Sequence, residues 1–276
     1  MIGRSTTPIR VAKMLSLITP VILTYNEAPN IARTMARLAW AKDVVVVDSK
    51  STDETIEELA RWPNVRVFTR IFDTFANQLR FAVSDTEIKT PWILRLDADY
   101  QLTDELIKEL RALHPEGDTN GYSIAFDYAV FSRRLRASLY PRRPILLRQG
   151  HFNIYDRGHK DLWVVDGIVK RLRGRVIHDD WKCAGAWLNA QSSYMSRELA
   201  EISNGGGARL RDRLRLIPPL MPIAIFLYCL FGKGLIFDGR AGLFYALQRS
   251  IAEAVLSLLV LEKSLRARVD SKPPEG

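Results

Sequence analysis

The first hundred residues alternate between short apolar runs and helical patterns, and this alternation constrains the fold more than any other feature. The run DVVVVD at 43–48 is almost wholly β-branched, as in a strand that is buried on both faces of a parallel sheet. Similar runs at 18–24, 65–68 and 91–97 are separated by helical patterns. Strands and helices that alternate at this spacing predict βαβ units, and therefore an α/β fold with a doubly wound, mostly parallel sheet.

The rest of the chain divides into an irregular middle and a helical end. Strand-like runs lie between arginine-rich stretches from about 120 to 181, and helical patterns follow from Leu188. The predicted organisation is a flexible N-terminus at 1–15, a sheet domain at 16–186, a helical region at 187–268 and a tail at 269–276.

The helical region carries an apolar stretch, LIPPLMPIAIFLYCLF at 216–231. It contains no charge but three prolines, so it is too short and too broken for a membrane-spanning helix. We predict that it is interfacial or re-entrant. The preceding RLRDRLR at 209–215 would place arginines at the lipid phosphates of an anionic membrane surface. The alternative is an ordinary helical subdomain that covers the sheet.

Composition limits the partners and the compartment. The formal net charge of +9 suits an anionic partner, and the arginines lack the aromatic interleaving or module that would indicate nucleic acid, so no nucleic acid is expected. Two distant cysteines lack metal-ligand spacing, which indicates a reducing compartment and no zinc site. The first apolar run, 14–23, is interrupted by Thr19 and Pro20, so no signal peptide is predicted and a cytoplasmic location is expected.

Polar side chains close three of the predicted strands. TYNE at 24–27 follows the first strand, Asp48 closes the second, and Asp97 and Asp99 close the fourth. Ligands bind at the carboxyl ends of the strands in such sheets. An Asp-x-Asp pair there suits a divalent cation, Mg²⁺ or Mn²⁺, whose other ligands come from phosphates. The alternatives are a solvated pair, or Asp99 as the cap of a helix near 103.

A second enzyme class carries a similar sequence motif. Phosphatases of the haloacid dehalogenase type carry Asp-x-Asp-x-Thr after an apolar strand, and the first Asp is the nucleophile. Here Gln101 stands where the Thr is required, and the motif closes the fourth strand. These two differences disfavour that class.

Four motifs occur in order along the first hundred residues: TYNE at 24–27, DSKSTDE at 48–54, FANQLRFA at 75–82 and LDAD at 96–99. Together they resemble the family 2 glycosyltransferases, which are inverting enzymes with the GT-A fold. TYNEAPNI, VVVDSKSTDET and a C-terminal KGLIFDGRAGL are similar to the branch that includes lipopolysaccharide-core glucosyltransferases. The resemblance implies that 16–186 is a GT-A catalytic domain and that the helical region is membrane-associated.

The resemblance also assigns roles to residues at the strand ends. Thr24, Tyr25 and Glu27 would border the nucleotide base, with the alternative that Glu27 only favours the start of a helix. Asp48 would accept a hydrogen bond from a base N–H, and Asp97 would approach the ribose. Asp99 would hold the cation that bridges the two phosphates of the donor.

Two departures from the family pattern affect the remaining roles. Relatives often carry a basic residue and Asn after the glutamine of the third helix, whereas this chain reads Gln78, Leu79, Arg80, so Arg80 is the candidate to supply the missing charge. The acceptor-side His-Glu is replaced in GHKDLWVVDG at 158–167, where alignment on DG and RLRG puts Lys160 and Asp161 in its place. Asp161 is then the implied catalytic base, with Asp156 or Asp166 as alternatives if the register differs.

The resemblance therefore implies transfer of a sugar from a nucleotide-diphosphate donor, for example UDP-glucose, to a bacterial envelope glycan or lipid-linked acceptor. The enzyme would lie at the inner face of the cytoplasmic membrane as a peripheral protein. The alternative is a catalytically inactive homologue that binds a sugar nucleotide or a membrane partner.

Overall fold

The computed structural model describes residues 14–157, 160–204, 210–218 and 220–270. Most of the predicted N-terminal segment, 1–15, and most of the predicted tail, 269–276, therefore lie outside the described residues. The strands are β1 (Ile18–Thr24), β2 (Val44–Asp48), β3 (Val65–Thr69), β4 (Trp92–Asp97), β5 (Tyr100–Leu102), β6 (Thr119–Val130), β7 (Arg133–Arg134), β8 (Arg143–Arg148), β9 (Phe152–Arg157), β10 (Lys160–Val165) and β11 (Ile168–His178). The helices are α1 (Ile31–Ala36), α2 (Thr55–Leu59), α3 (Phe75–Ser84), α4 (Asp104–Ala112), α5 (Ala184–Ser203), α6 (Leu210–Arg215), α7 (Leu220–Leu227) and α8 (Gly239–Asp270).

The main sheet has the order β3-β2-β1-β4-β8-β6-β11-β5. Strands β3, β2, β1 and β4 are parallel, as are β6 and β11, whereas β8 and β5 pair antiparallel with their neighbours. The predicted α/β fold with a mostly parallel sheet is confirmed.

The valine run of β2 shows why the sequence specifies a sheet covered on both faces. Val44 and Val46 belong to one core with α1, α2 and α4, whereas Val45 and Val47 belong to another with α3. Successive side chains of a strand point to opposite faces, so an uninterrupted apolar run requires two cores. The antiparallel hairpin of β9 and β10 packs on α3 and contributes Ile154 and Trp163 to the second core.

The C-terminal helices join the sheet through further apolar clusters. Tyr128 and Val130 at the end of β6 pack with Leu235 and Tyr245, and Met195 of α5 packs with Leu256 of α8. The stretch 216–231 contains α7 and runs into a π-helical turn, Tyr228–Gly232. Leu235–Ala267 is long and apolar enough to cross a membrane by length and composition alone.

The role predicted for the arginines of 209–215 needs a correction at one residue. Arg215 is only 8% exposed and binds Glu198 of α5 and Glu253 of α8, so its charge is used inside the helical region. Arg213 is exposed.

Candidate active site at the strand ends

The sheet register brings the predicted acids and Thr24 to one edge. Thr24 of β1 lies opposite Asp48 of β2, and Leu23 lies opposite Asp97 of β4. Because β1, β2 and β4 are parallel, their carboxyl ends share the edge at which α/β sheets bind ligands. Asp99 follows Asp97 by two residues.

Asp48 is 1% exposed, and both oxygens of its carboxylate accept hydrogen bonds. It accepts hydrogen bonds from the Thr24 hydroxyl at 2.8 Å, and from the Ser51 amide and hydroxyl at 2.8 and 2.5 Å. These bonds use Ser51 to close the loop after β2. The carboxylate therefore fixes the geometry of the strand end besides presenting a charge there.

The loops after β1 and β2 hold each other in uncommon conformations. Asn26 and Lys50 have φ of +52° and +63°. The Asn26 side chain accepts from the Thr52 amide at 2.8 Å, and the Asn26 amide donates to Ser51 Oγ at 2.9 Å. Tyr25, which precedes Asn26 in the loop after β1, is 56% exposed, so its ring is accessible to a ligand.

Glu27 connects the loop after β1 to the segment after β11. It accepts from Lys182 Nζ at 2.5 Å and from Asn30 Nδ2 at 2.8 Å, and Lys182 also donates to the carbonyl of Tyr25. Burial raises the pKa of Glu27 to about 8, although the Lys182 ammonium opposes that rise. The contact with Lys182 orders the rim of the site.

Asp97 and Asp99 have different surroundings. Burial raises the pKa of Asp97, but the Arg95 guanidinium 3.0 Å away, a hydrogen bond from Tyr100 and the charges of Arg143 and His178 together outweigh it, so the net shift is downward. Asp97 therefore stays ionised.

Asp99 lies 2.9 Å from the Nε2 atom of His178, which ends β11. Burial lowers the pKa of His178. The negative charge of Asp99 and its hydrogen bond to the imidazole, with the charges of Asp97 and Asp180, raise that pKa by more, so the net shift is upward. The imidazole packs against Tyr100, Tyr128 and Tyr140, with ring centroids 4.8–5.2 Å away. This histidine was not predicted as a site residue, and its only sequence signal is its position at a strand end.

The Asp99–His178 pair fits a divalent cation. Asp99 Oδ1 is buried without a hydrogen-bond partner among the described residues. No group of three or more His, Cys, Asp or Glu able to hold a metal occurs in the described part of the chain. A carboxylate and an imidazole, completed by the oxygens of a diphosphate, match how Mg²⁺ or Mn²⁺ is held with a phosphate substrate.

Arg80 contacts a different part of the fold from these acids. Its guanidinium donates to the carbonyl of Ile154 at 2.6 Å and to the side chain of Asn77. These bonds tie α3 to β9. Arg80 is not brought to Asp48, Asp97 or Asp99 by any of its hydrogen bonds.

The loop predicted to carry the catalytic base lies in the β9–β10 hairpin. Asp161 pairs with Asp156 across the two strands, but its side chain lies outside the described residues. Asp156 accepts from Thr74 Oγ1 at 3.0 Å and from the Ala76 amide at 3.3 Å, at the start of α3. Asp166 lies five residues beyond Asp161, or roughly 16 Å along an extended strand.

The segment after β11 contributes two acids that sequence reasoning missed. Asp179 accepts from Arg33 at 2.8 Å, from the Ser132 amide at 3.0 Å and from Trp181 Nε1 at 2.9 Å. Asp180 accepts from Asn30 Nδ2 at 2.9 Å. The bonds from Arg33 and Asn30 position this segment against α1.

The sequence model described as glycosyl transferase family 2 matches residues 19–171, which is more than half of the chain. The chain belongs to glycosyl transferase family 2. It is therefore an enzyme of the glycosyltransferase class, and the sheet order agrees with the GT-A fold predicted for this family.

Curated relatives of this family 2 glycosyltransferase include bacterial proteins. The lipopolysaccharide core biosynthesis glycosyltransferase LpsC of Rhizobium meliloti is 24% identical over 90% of the chain and 93% of its own length. An uncharacterized glycosyltransferase of Rickettsia bellii is 34% identical over 38% of the chain. That match spans about a third (35%) of the length of the Rickettsia protein.

Solved structures with a similar arrangement are more distant. S. aureus TarS 1-349 in complex with UDP-GlcNAc is 12% identical with a TM-score of 0.46, covering 91% of the family 2 chain and 92% of its own. Glucosyl-3-phosphoglycerate synthase from Mycobacterium tuberculosis, in complex with Mn²⁺, UDP and glucosyl-3-phosphoglycerate, is 16% identical with a TM-score of 0.33. It covers 46% of the chain and 50% of its own.

Proposed function

We propose that this family 2 glycosyltransferase transfers a sugar, with inversion, from a nucleotide-diphosphate donor to a bacterial envelope glycan or lipid-linked acceptor. The observation that carries the proposal is the convergence of Asp48, Asp97 and the Asp99–His178 pair at the carboxyl edge of the parallel strands. Three acids and an imidazole at that edge suit a cation-bound diphosphate better than they suit a neutral ligand.

The donor would lie across the loops after β1 and β2. Thr24, Tyr25 and Glu27 border the base, with the exposed Tyr25 ring as its contact surface, and Asp48 accepts a base N–H. Asp97, kept ionised by Arg95, faces the ribose hydroxyls. UDP-glucose is the first donor to test.

Asp99 and His178 would hold Mg²⁺ or Mn²⁺ when the donor binds. The cation supplies positive charge that stabilises the diphosphate as its bond to the sugar breaks. Arg80 remains a proposed source of positive charge for the donor site because it lies on α3. Its own hydrogen bonds hold β9 and do not reach the acids of the site.

Inversion in one displacement needs a base on the face opposite the diphosphate. Asp97 and Asp99 are committed to the leaving-group side, so the proposed base is Asp161, which would take the proton of the acceptor hydroxyl as attack proceeds. Of the alternatives, Asp156 is occupied at the start of α3.

An envelope acceptor is supported by the name of the Rhizobium relative and by the surface of the helical region. Large apolar side chains of α7 and of the segment before α8 stay exposed, among them Ile223 at 60%, Phe231 at 64% and Phe237 at 73%. We define these three as the apolar face. It would rest on the inner surface of the cytoplasmic membrane, with cations such as Arg213 near anionic headgroups.

Isothermal titration of the protein with UDP, with and without Mn²⁺, tests the proposal. We expect Mn²⁺ to strengthen UDP binding in the parent and to have no effect in Asp99→Asn. The control Asp104→Asn, at an exposed carboxylate that begins α4, should behave like the parent. UDP binding that ignores Mn²⁺ in the parent would contradict the metal role.

The inactive homologue is favoured by one observation, the replacement of His-Glu by Lys160 and Asp161. Measuring the release of UDP from UDP-glucose or another UDP-sugar distinguishes an active enzyme from an inactive homologue. Turnover supports the enzyme; binding of UDP and Mn²⁺ without turnover of any donor supports a binding protein.

A further inference from the structure

The turn between β6 and β7 places a phenylalanine where local conformation disfavours it. Phe131 and Ser132 connect Val130 to its partner Arg133, and both have positive φ, +48° and +67°. A two-residue hairpin turn of this kind prefers Asn and Gly, because other side chains are strained in the left-handed region. Phe131 is also 51% exposed. Neither turn preference nor burial in the core explains an aromatic ring at this position.

The Phe131 ring belongs to a group of aromatic side chains that are exposed or half-buried. Its centroid lies 6.3 Å from that of Trp181 and 6.0 Å from that of Phe244 on α8. Trp181 is 40% exposed, and Arg33 covers part of its ring at 4.3 Å. We call Phe131, Trp181 and Phe244 the aromatic platform.

The backbone beneath the platform is fixed by one buried carboxylate. Asp179 accepts from the amide of Ser132 at 3.0 Å and from the indole of Trp181 at 2.9 Å. A single acid therefore holds both the strained turn and the indole, which preorganises two of the three rings.

A polar cleft adjoins the platform. It lies between the ends of β6 and β11 and the helices α5 and α8, and Asp180, Lys182, Trp187, Phe244 and Gln248 are among its lining residues. The Oε1 atom of Gln248 is buried and has no hydrogen-bond partner in the described part of the chain. Such an atom has lost its hydration without gaining a protein donor, so a ligand hydroxyl that donates to it would be favourable.

The cleft begins where the proposed donor site ends. The amide of Asp179 donates to the carbonyl of Asp99 at 3.1 Å, and Lys182, which lines the cleft, has its ammonium on Glu27. Asp48, by contrast, lies on β2, near the lateral edge of the sheet that is far from β6 and β11.

We propose that the aromatic platform and the adjoining cleft form a subsite for one sugar ring of the acceptor glycan. The proposal rests on the proposed glycosyltransferase function. The C–H face of a pyranose lies on aromatic rings because their negative π-face attracts polarised C–H groups. Its hydroxyls would meet Asp180 and Gln248. An acyl chain in the same place would leave the buried Oε1 atom of Gln248 without a partner, which is unfavourable.

The test uses Phe131→Asn and its matched control Phe131→Tyr on the full chain. Asn suits the left-handed turn and removes the ring, whereas Tyr keeps the ring. The probes are methyl glycosides of glucose, mannose, galactose and N-acetylglucosamine, followed by saturation-transfer NMR. We expect one or more of these sugars to bind the parent, and Phe131→Asn to weaken that binding about 3- to 10-fold, the range of an aromatic contact.

The melting temperature supplies a second readout. Phe131→Asn should melt at or above the parental temperature because Asn relieves the strain of the turn. Weakened sugar binding together with unchanged or higher stability then identifies the ring as a ligand contact. Gln248→Met, which keeps the length of the side chain and removes its acceptor, should weaken the same sugar by up to about 10-fold.

Three results would overturn the subsite. These are sugar binding by Phe131→Asn equal to that of the parent, no binding of any probe sugar by the parent, and loss of liposome flotation by Phe131→Asn with sugar binding intact, which would make the ring a lipid contact. UDP and Mn²⁺ binding, measured in the same samples, separates this failure from failure of the proposed function. A parent that binds UDP but fails the sugar test loses only the subsite, whereas a parent that binds no UDP loses both.

Discussion

Asp48 combines two tasks at the scale of one residue. Its carboxylate is 1% exposed and accepts bonds from Thr24 and Ser51, so it organises the end of β2. The same carboxylate is the proposed acceptor for the nucleotide base. Loss of the side chain would therefore change stability as well as binding, and the two effects need separate measurements.

We predict that Asp48→Ala lowers the free energy of unfolding by about 1–3 kcal/mol, because it leaves buried donors without an acceptor. Asp48→Asn keeps one acceptor oxygen and should cost less. Both variants should weaken UDP binding in EDTA, where no cation contributes. Urea denaturation and titration calorimetry measure the two quantities. An Asp48→Ala variant as stable as the parent would show that these bonds contribute nothing.

The proposed base gives a second prediction at this scale. Asp161→Asn removes the carboxylate at similar size, and transfer should fall by roughly 10²-fold or more while UDP affinity stays at the parental value. Asp156→Asn should instead lower stability by about 0.5–2 kcal/mol, since Asp156 caps the start of α3. Sugar transfer and thermal denaturation are measured on both variants. Unchanged transfer in Asp161→Asn would move the base elsewhere.

At the scale of elements, the helical region is joined by a buried ion network. Arg215 of α6 binds Glu253 of α8 at 3.0 Å and Glu198 of α5 at 2.5 Å. Burying three charges is costly, but removing one partner leaves the others uncompensated. The network therefore makes three helices depend on one guanidinium.

We predict that Arg215→Ala destabilises the protein by about 3–5 kcal/mol in chemical denaturation. Arg213→Ala, two residues away on the same helix but exposed, should change stability by at most about 0.5 kcal/mol. In liposome flotation, the same two variants also test the membrane role of each arginine, because only the exposed Arg213 can reach a headgroup. A similar loss in both variants would contradict the buried network.

At the scale of the whole molecule, the helical region packs on the sheet domain, while the side chains of the apolar face stay exposed. The backbone N–H of Leu139 donates a 2.8 Å hydrogen bond to Tyr245 Oη of α8, and Leu256 is fully buried against α5. Deleting these helices would expose core residues of the sheet domain. Point substitutions are therefore the better test of membrane binding.

We predict that Phe231→Ser combined with Phe237→Ser strongly reduces flotation of the protein with anionic liposomes. Each phenylalanine buried at the interface contributes about 1.5–3 kcal/mol, and both rings are largely exposed in the absence of a membrane. Tyr155→Ser, at a 50% exposed ring on the β9–β10 hairpin, is the control and should float like the parent. Undiminished flotation of the double variant would contradict the proposed orientation.

The sequence by itself determined the sheet and the acidic edge at which its parallel strands end. The valine run of β2 could only be satisfied by cores on both faces, and acids at strand ends meet because parallel strands end together. The FANQLRFA motif at 75–82 lies on α3, Phe75–Ser84, and the helical patterns predicted from Leu188 include α8, Gly239–Asp270. Local periodicity is sufficient for these features because each depends on neighbours along the chain.

Local signals were wrong where a side chain found a tertiary partner. Ser51 and Glu54 have the spacing of a capping box, yet α2 begins at Thr55 without a side-chain cap, because the Ser51 hydroxyl donates to Asp48. The alternative of Asp99 as a helix cap is also excluded, since Thr103 caps α4.

Only the tertiary structure decided which distant residues complete the site. His178 beside Asp99, Lys182 beside Glu27, and Trp181 beside Phe131 each join segments far apart in the chain. These contacts depend on the pairing of β11 with β5 and β6. The energy that selects this pairing comes from long-range packing. No local pattern of apolar and polar residues encodes the partner of a strand, so the sequence identified the acids while the fold supplied what they touch.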